Sequence, residues 1–184
     1  MNLINKWIFV GIYAVLFVVL SSCQAEPIKP ASLKLERYSV TAKDFPDGWK
    51  FVGEDWSSGS NTERYSVSYG APSKDGIGLN QTIQLYTSLS MAQDEYSNQE
   101  KEWFSTTEKW EGTEFSPLDS EDDFKYECVQ IFMDKSIVSC SFLQRHNEIV
   151  VIILVNVDGE LITFAQLNEI LRVLDERLNV IALE

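Results

Sequence analysis

The chain has 184 residues, a formal net charge of −13, 45% hydrophobic residues and 12% aromatic residues. A polymer this acidic is repelled by nucleic acid and by anionic headgroups, which excludes polyanion binding as its task. Its apolar content is that of a folded protein, so the charge does not signal disorder, and the length suits one domain.

The first element is an unbroken apolar run, Trp7 to Leu20, behind a single cation, Lys6. As a helix it spans about 21 Å, short of the ~30 Å hydrocarbon core. A positive start, a short apolar stretch and the small-residue exit Ser21-Ser22 have the form of a secretory signal. An uncleaved membrane anchor is the alternative, because no charge appears between Lys6 and Glu26. The ending Leu20-Ser21-Ser22-Cys23 resembles the lipobox of a bacterial lipoprotein signal peptide. That resemblance implies removal of residues 1–22 and a diacylglyceryl thioether, with palmitate-type chains, on Cys23 as the new N-terminus. It implies a membrane-anchored place in the cell envelope, on the extracytoplasmic side. Two or three acyl chains anchor stably where one does not. Gln24, where inner-membrane retention uses Asp, permits export to an outer membrane. Gln24 to Ser32, with two prolines, reads as a tether. The expected organisation is a signal over 1–22, a lipidated N-terminus and tether over 23–33, and one domain over 34–184.

Tyr38 and Val40 suggest a first strand. Lys43 to Asn61 follows, rich in Gly, Ser, Asp and large aromatics. Thr62 to Tyr69 alternates, with Tyr65, Val67 and Tyr69 on one side, and predicts a half-buried strand. A Pro- and Gly-containing connection over 71–79 leads to a strand over 81–87, with Ile83 and Leu85 inward. Ser90 with Gln93 has capping-box form and predicts a helix to about Thr106, with Ala92, Tyr96, Gln99 and Trp103 as its seam. An acidic loop spans 111–123. Strands are predicted over 128–133, 137–144 and 149–157, the last placed centrally because VVIILV is apolar on both faces. Thr163 with Gln166 repeats the capping box. The final helix carries Phe164, Leu167, Ile170, Leu171, Leu174 and Leu178 on one stripe, with Glu169, Arg172 and Arg177 assigned to its outer face. The order predicts an α+β fold: an antiparallel sheet of about six strands packed against two helices, the last an amphipathic C-terminal helix.

Cys128 and Cys140 form an even pair for an oxidising compartment. A hairpin centred on Asp134 sets them directly opposite, where a disulfide closes with little strain. Two free thiols, or a register slip of one, are the alternatives. Phe45-Pro46-Asp47-Gly48-Trp49 is similar to the Pro-x-Gly-Trp start of PsbP/Mog1-like domains, whose element order is also similar. The resemblance implies an accessory factor on a membrane, not an enzyme.

No nucleophile elbow, zincin motif or dinucleotide loop is present. The lone histidine, His146, reads as a solvated turn residue. Asp119, Glu121 and Asp123 alternate as calcium ligands do, but the loop has neither the glycine nor the twelfth-position Glu, so no metal site is assigned. Glu54 and Asp55 are adjacent acids without a hydrolase signature. No cofactor is expected. The candidate binding residues are Phe45, Trp49, Phe51 and Trp56, which either line a pocket or cover a small core. The expectation is a non-catalytic domain held to the membrane by lipid on Cys23, with a protein partner and no nucleic acid. The alternative is a small-ligand or solute-binding lipoprotein using the aromatic 43–61 segment.

Overall fold

Alternating apolar residues build one sheet in the computed structural model, which describes residues 31–72, 77–104, 123–130 and 137–181. The strands are β1 (Lys50–Ser58), β2 (Thr62–Gly70), β3 (Gly78–Tyr86), β4 (Asp123–Gln130), β5 (Val138–His146) and β6 (Ile149–Val157). Helix α1 (Leu89–Trp103) separates β3 from β4, and α2 (Phe164–Ile181) ends the described chain. All pairings are antiparallel, in the order β1-β2-β3-β6-β5-β4. The fold is α+β. The apolar run before Cys23, Cys23 itself, the 119–122 acids and the turn at 133–135 lie outside the described residues. Among the described residues no helix is long and apolar enough to cross a membrane.

The period-2 pattern sorts side chains onto two faces. One face carries Tyr65, Val67, Leu79, Ile83, Phe142, Val151 and Ile153, and buries Leu167, Ile170, Leu174 and Leu178 of α2 in the main core. On the other face Leu143, Val150 and Ile152 meet Ala92 and Tyr96 of α1, with Trp103 and Phe104 at the edge. That is why Val150 to Ile153 are all apolar: β6 is central and covered on both sides there. Cys128 pairs with Cys140, and their sulfurs are bonded across the β4–β5 ladder.

Helix α1 starts slightly earlier than its sequence suggested. Ser88, not Ser90, is the cap, and its hydroxyl accepts from the Met91 N–H. In α2 the capping box forms as read: Thr163 N–H donates to Gln166 Oε1 at 2.8 Å, and Gln166 N–H donates to Thr163 Oγ1 at 3.2 Å. β3 and β4 also begin earlier than expected, at Gly78 and Asp123.

Tyr38 and Val40 do not form a strand. Ala31–Tyr38 is a 3₁₀ helix that opens inside the stretch read as tether, and the sixth strand is β1 instead. The reason lies in one side chain. Gln81, fully buried on β3, accepts from Val40 N–H at 2.8 Å and donates to the Tyr38 carbonyl at 3.3 Å. The Tyr69 hydroxyl donates to the Val40 carbonyl at 3.1 Å. These backbone groups are satisfied by side chains standing on the sheet, so the segment needs no strand partner. Gln81→Leu keeps the volume but orphans two buried backbone groups. We expect it to cost about 2 kcal/mol, read as a lower urea midpoint; an unchanged midpoint would mean that Gln81 does not hold the segment.

Arg177 is not an outer-face residue. Its guanidinium forks onto Asp44, both bonds at 2.9 Å, and donates to the Ser39 carbonyl. Burial would raise the Asp44 carboxyl, but hydrogen bonds from Arg177 and Thr41 and the Arg177 charge outweigh it and hold it below its usual value. A depressed carboxyl stabilises the fold above its unfolded value of about 4, and that contribution disappears as pH falls through the folded value. Asp44→Asn should therefore lower stability by about 1–2 kcal/mol at neutral pH, and the difference from the native chain should shrink toward pH 3 in thermal melts.

Candidate functional site

The segment KFVGEDWSS folds as β1 at one end of the sheet, where among the described residues it pairs with β2 alone. Phe51 lies opposite Tyr69 and Gly53 opposite Ser68, so Val52 is an extra residue, a β-bulge. The bulge turns Val52 outward: it is 69% exposed, and Phe51 is 52% exposed. Beyond it Glu54 and Asp55 are exposed, and Trp56 is half-buried against Tyr65 with ring centroids 4.0 Å apart. The Tyr65 hydroxyl donates to Glu54 Oε2 at 2.9 Å. Burial first, then this bond, raises the Tyr65 pKa, so the phenol stays a donor at all physiological pH.

The four aromatic candidates separate into two pairs. Phe45 and Trp49 are core residues, stacked at 4.8 Å with planes 11° apart, and Trp49 Nε1–H donates to the Leu161 carbonyl at 3.2 Å. Their backbone turns through Pro46-Asp47-Gly48, where Gly48 takes φ +93° and a Cβ would meet Pro72 at 3.0 Å. Phe51 and Trp56 sit at the sheet edge. The structure thus brings the four rings to one end of the sheet but leaves only two within reach of a partner.

On the face that α1 covers elsewhere, no other described element covers this end of the sheet. A groove of about 540 Å³ runs between Val52 and Leu154 over Ser68, Gly70, Gly78 and Asn80. Gly70 and Gly78 are cross-strand partners, so the floor is bare backbone. A Cβ at Gly78 would stand 2.7 Å from the Tyr69 carbonyl oxygen. Asn80 Nδ2 donates to Ser68 Oγ at 2.8 Å, and among the described residues none that lines the groove is charged. Sequence reasoning missed this groove, because Leu154 sits inside VVIILV yet is 38% exposed. The usable signals were the Gly in β1 and the paired glycines of β2 and β3.

Two buried polar residues also escaped the sequence. Asp175 of α2 accepts from Gln144 at 2.8 Å and from Asn179 at 3.3 Å, locking the helix onto β5. His146 is not a solvated turn residue. It is buried as the last residue of β5, opposite Ile149, and the turn proper is Asn147-Glu148, with Asn147 at φ +52°. Among the described residues no group of three His, Cys, Asp or Glu stands close enough to hold a metal.

Comparison with protein-family models, curated proteins and solved structures finds no match for this chain. What it does must be read from its residues and their geometry.

Proposed function

We propose that this chain is a lipid-anchored, extracytoplasmic accessory domain that binds a protein partner and performs no catalysis of its own. The anchor reading rests on Leu20-Ser21-Ser22-Cys23, and the buried Cys128–Cys140 disulfide favours an oxidising compartment. The observation that carries partner binding is the outer edge of β1. A nine-residue strand with one side unpaired among the described residues, and with Phe51 and Val52 exposed, is a template for another chain.

Photo-crosslinking tests this. A photoreactive residue replacing Ser57 in the full-length chain, irradiated in intact cells, should give one adduct in the membrane fraction. The paired change Phe51→Ser, Val52→Ser should abolish it. A chain that remains monomeric and unlinked would overturn the reading. Cys23→Ser should release the protein from membranes. A second reading, binding of an uncharged small ligand, is favoured by the groove between Val52 and Leu154. A ligand-dependent rise in melting temperature that Leu154→Arg removes would favour it over the first.

A further inference from the structure

We infer that β1 accepts an extended partner segment as a seventh strand, and that this segment carries apolar residues at one end and two adjacent cations beside Glu54 and Asp55. The inference rests on the accessory reading above and specifies its partner. From Gly53 to Ser58 the edge has neither proline nor lysine, two of the residues with which exposed edges are ordinarily blocked. Its N–H and C=O groups on the outer side pair with no strand among the described residues.

Side chains of an added strand fall beside those of β1, about 4.8 Å away. Phe51 and Val52 offer apolar neighbours at the bulge, and from Gly53 to Ser58 the strand is regular. Glu54 and Asp55 follow, one on each face of the sheet and both exposed. Neither makes an ion pair among the described residues. Trp56 presents a half-exposed ring two residues beyond Glu54, on the same face, where a cation is favoured again. A second copy of this chain fits poorly: it brings a net charge of −13 toward the same two acids. A basic segment neutralises them.

The test uses the full-length chain in nanodiscs of neutral lipid and three synthetic probes. One is an eight-residue peptide containing Ile-Val, a serine and Lys-Arg. The second replaces Lys-Arg by Glu-Asp. The third is the first peptide N-methylated at alternate residues. The basic peptide should slow hydrogen exchange across 53–58 and bind about tenfold more tightly than its acidic twin at low salt, two cross-strand charge pairs contributing. Added salt should narrow the gap. Asp55→Asn should cut the preference to about threefold, since one of the two pairs is then lost. The N-methylated probe should fail, because strand addition needs its N–H groups. Equal binding of the charge twins, undiminished binding of the N-methylated probe, or no protection across 53–58 overturns the inference. A crosslinked partner contacting some other surface would leave the accessory role standing while removing this one.

Discussion

Trp49→Ala should destabilise the domain by about 3–5 kcal/mol, close to the whole stability of many domains of this size. The indole is 6% exposed, stacked on Phe45 and hydrogen-bonded to the Leu161 carbonyl. Removing it empties a large core volume, takes a stacking partner from Phe45 and strands a carbonyl. Phe51→Ala, two residues on, should stay within about 0.5 kcal/mol of the native chain because its ring is mostly in solvent. Denaturant midpoints of the two variants measure the contrast. It bears on function as well as on folding, since a loss of binding in Trp49→Ala reports unfolding, whereas a loss in Phe51→Ala reports a contact. If the two variants were equally mild, Trp49 would not be a core residue.

The paired change Cys128→Ala, Cys140→Ala should cost about 3 kcal/mol, the chain-entropy value for a closed loop of this length. The loss should be local before it is global. Among the described residues β4 is an edge strand paired with β5 alone, and the disulfide ties the two from within the core, where both cysteines are buried. Amide exchange in Asp123–Gln130 should therefore accelerate under conditions that leave β2, β3 and β6 protected. Uniform acceleration would place the disulfide's effect elsewhere.

The features of the fold visible in the sequence were those written in local periodicity. Tyr65, Val67 and Tyr69 alternate because one face of β2 is buried, and the Leu167-to-Leu178 stripe repeats because one face of α2 is. The Cys128–Cys140 register followed from hairpin geometry alone. What could not be seen was set by distant partners. Nothing near Tyr38 and Val40 announces that Gln81, some forty residues away, will satisfy their backbone and leave them outside the sheet. The Lys43–Asn61 segment hid a strand because its apolar residues do not alternate across a bulge, and burial of Phe45 and Trp49 comes from Tyr69 and Leu161. The edge was legible as aromatic richness and not as an edge, since strand order is a property of the whole sheet.

The stretch from Leu35 to Asp44 has a mechanical consequence. Tension applied to the chain upstream of it does not meet a backbone ladder whose rungs break in succession. It meets Tyr69, Gln81 and Arg177, side chains rooted in β2, β3 and α2, which grip the stretch at Val40, Tyr38, Ser39 and Asp44. The load is shared among three elements at once, and the last of them lies near the far end of the chain. A pull on the N-terminal side of the domain is in this way resisted by helix α2.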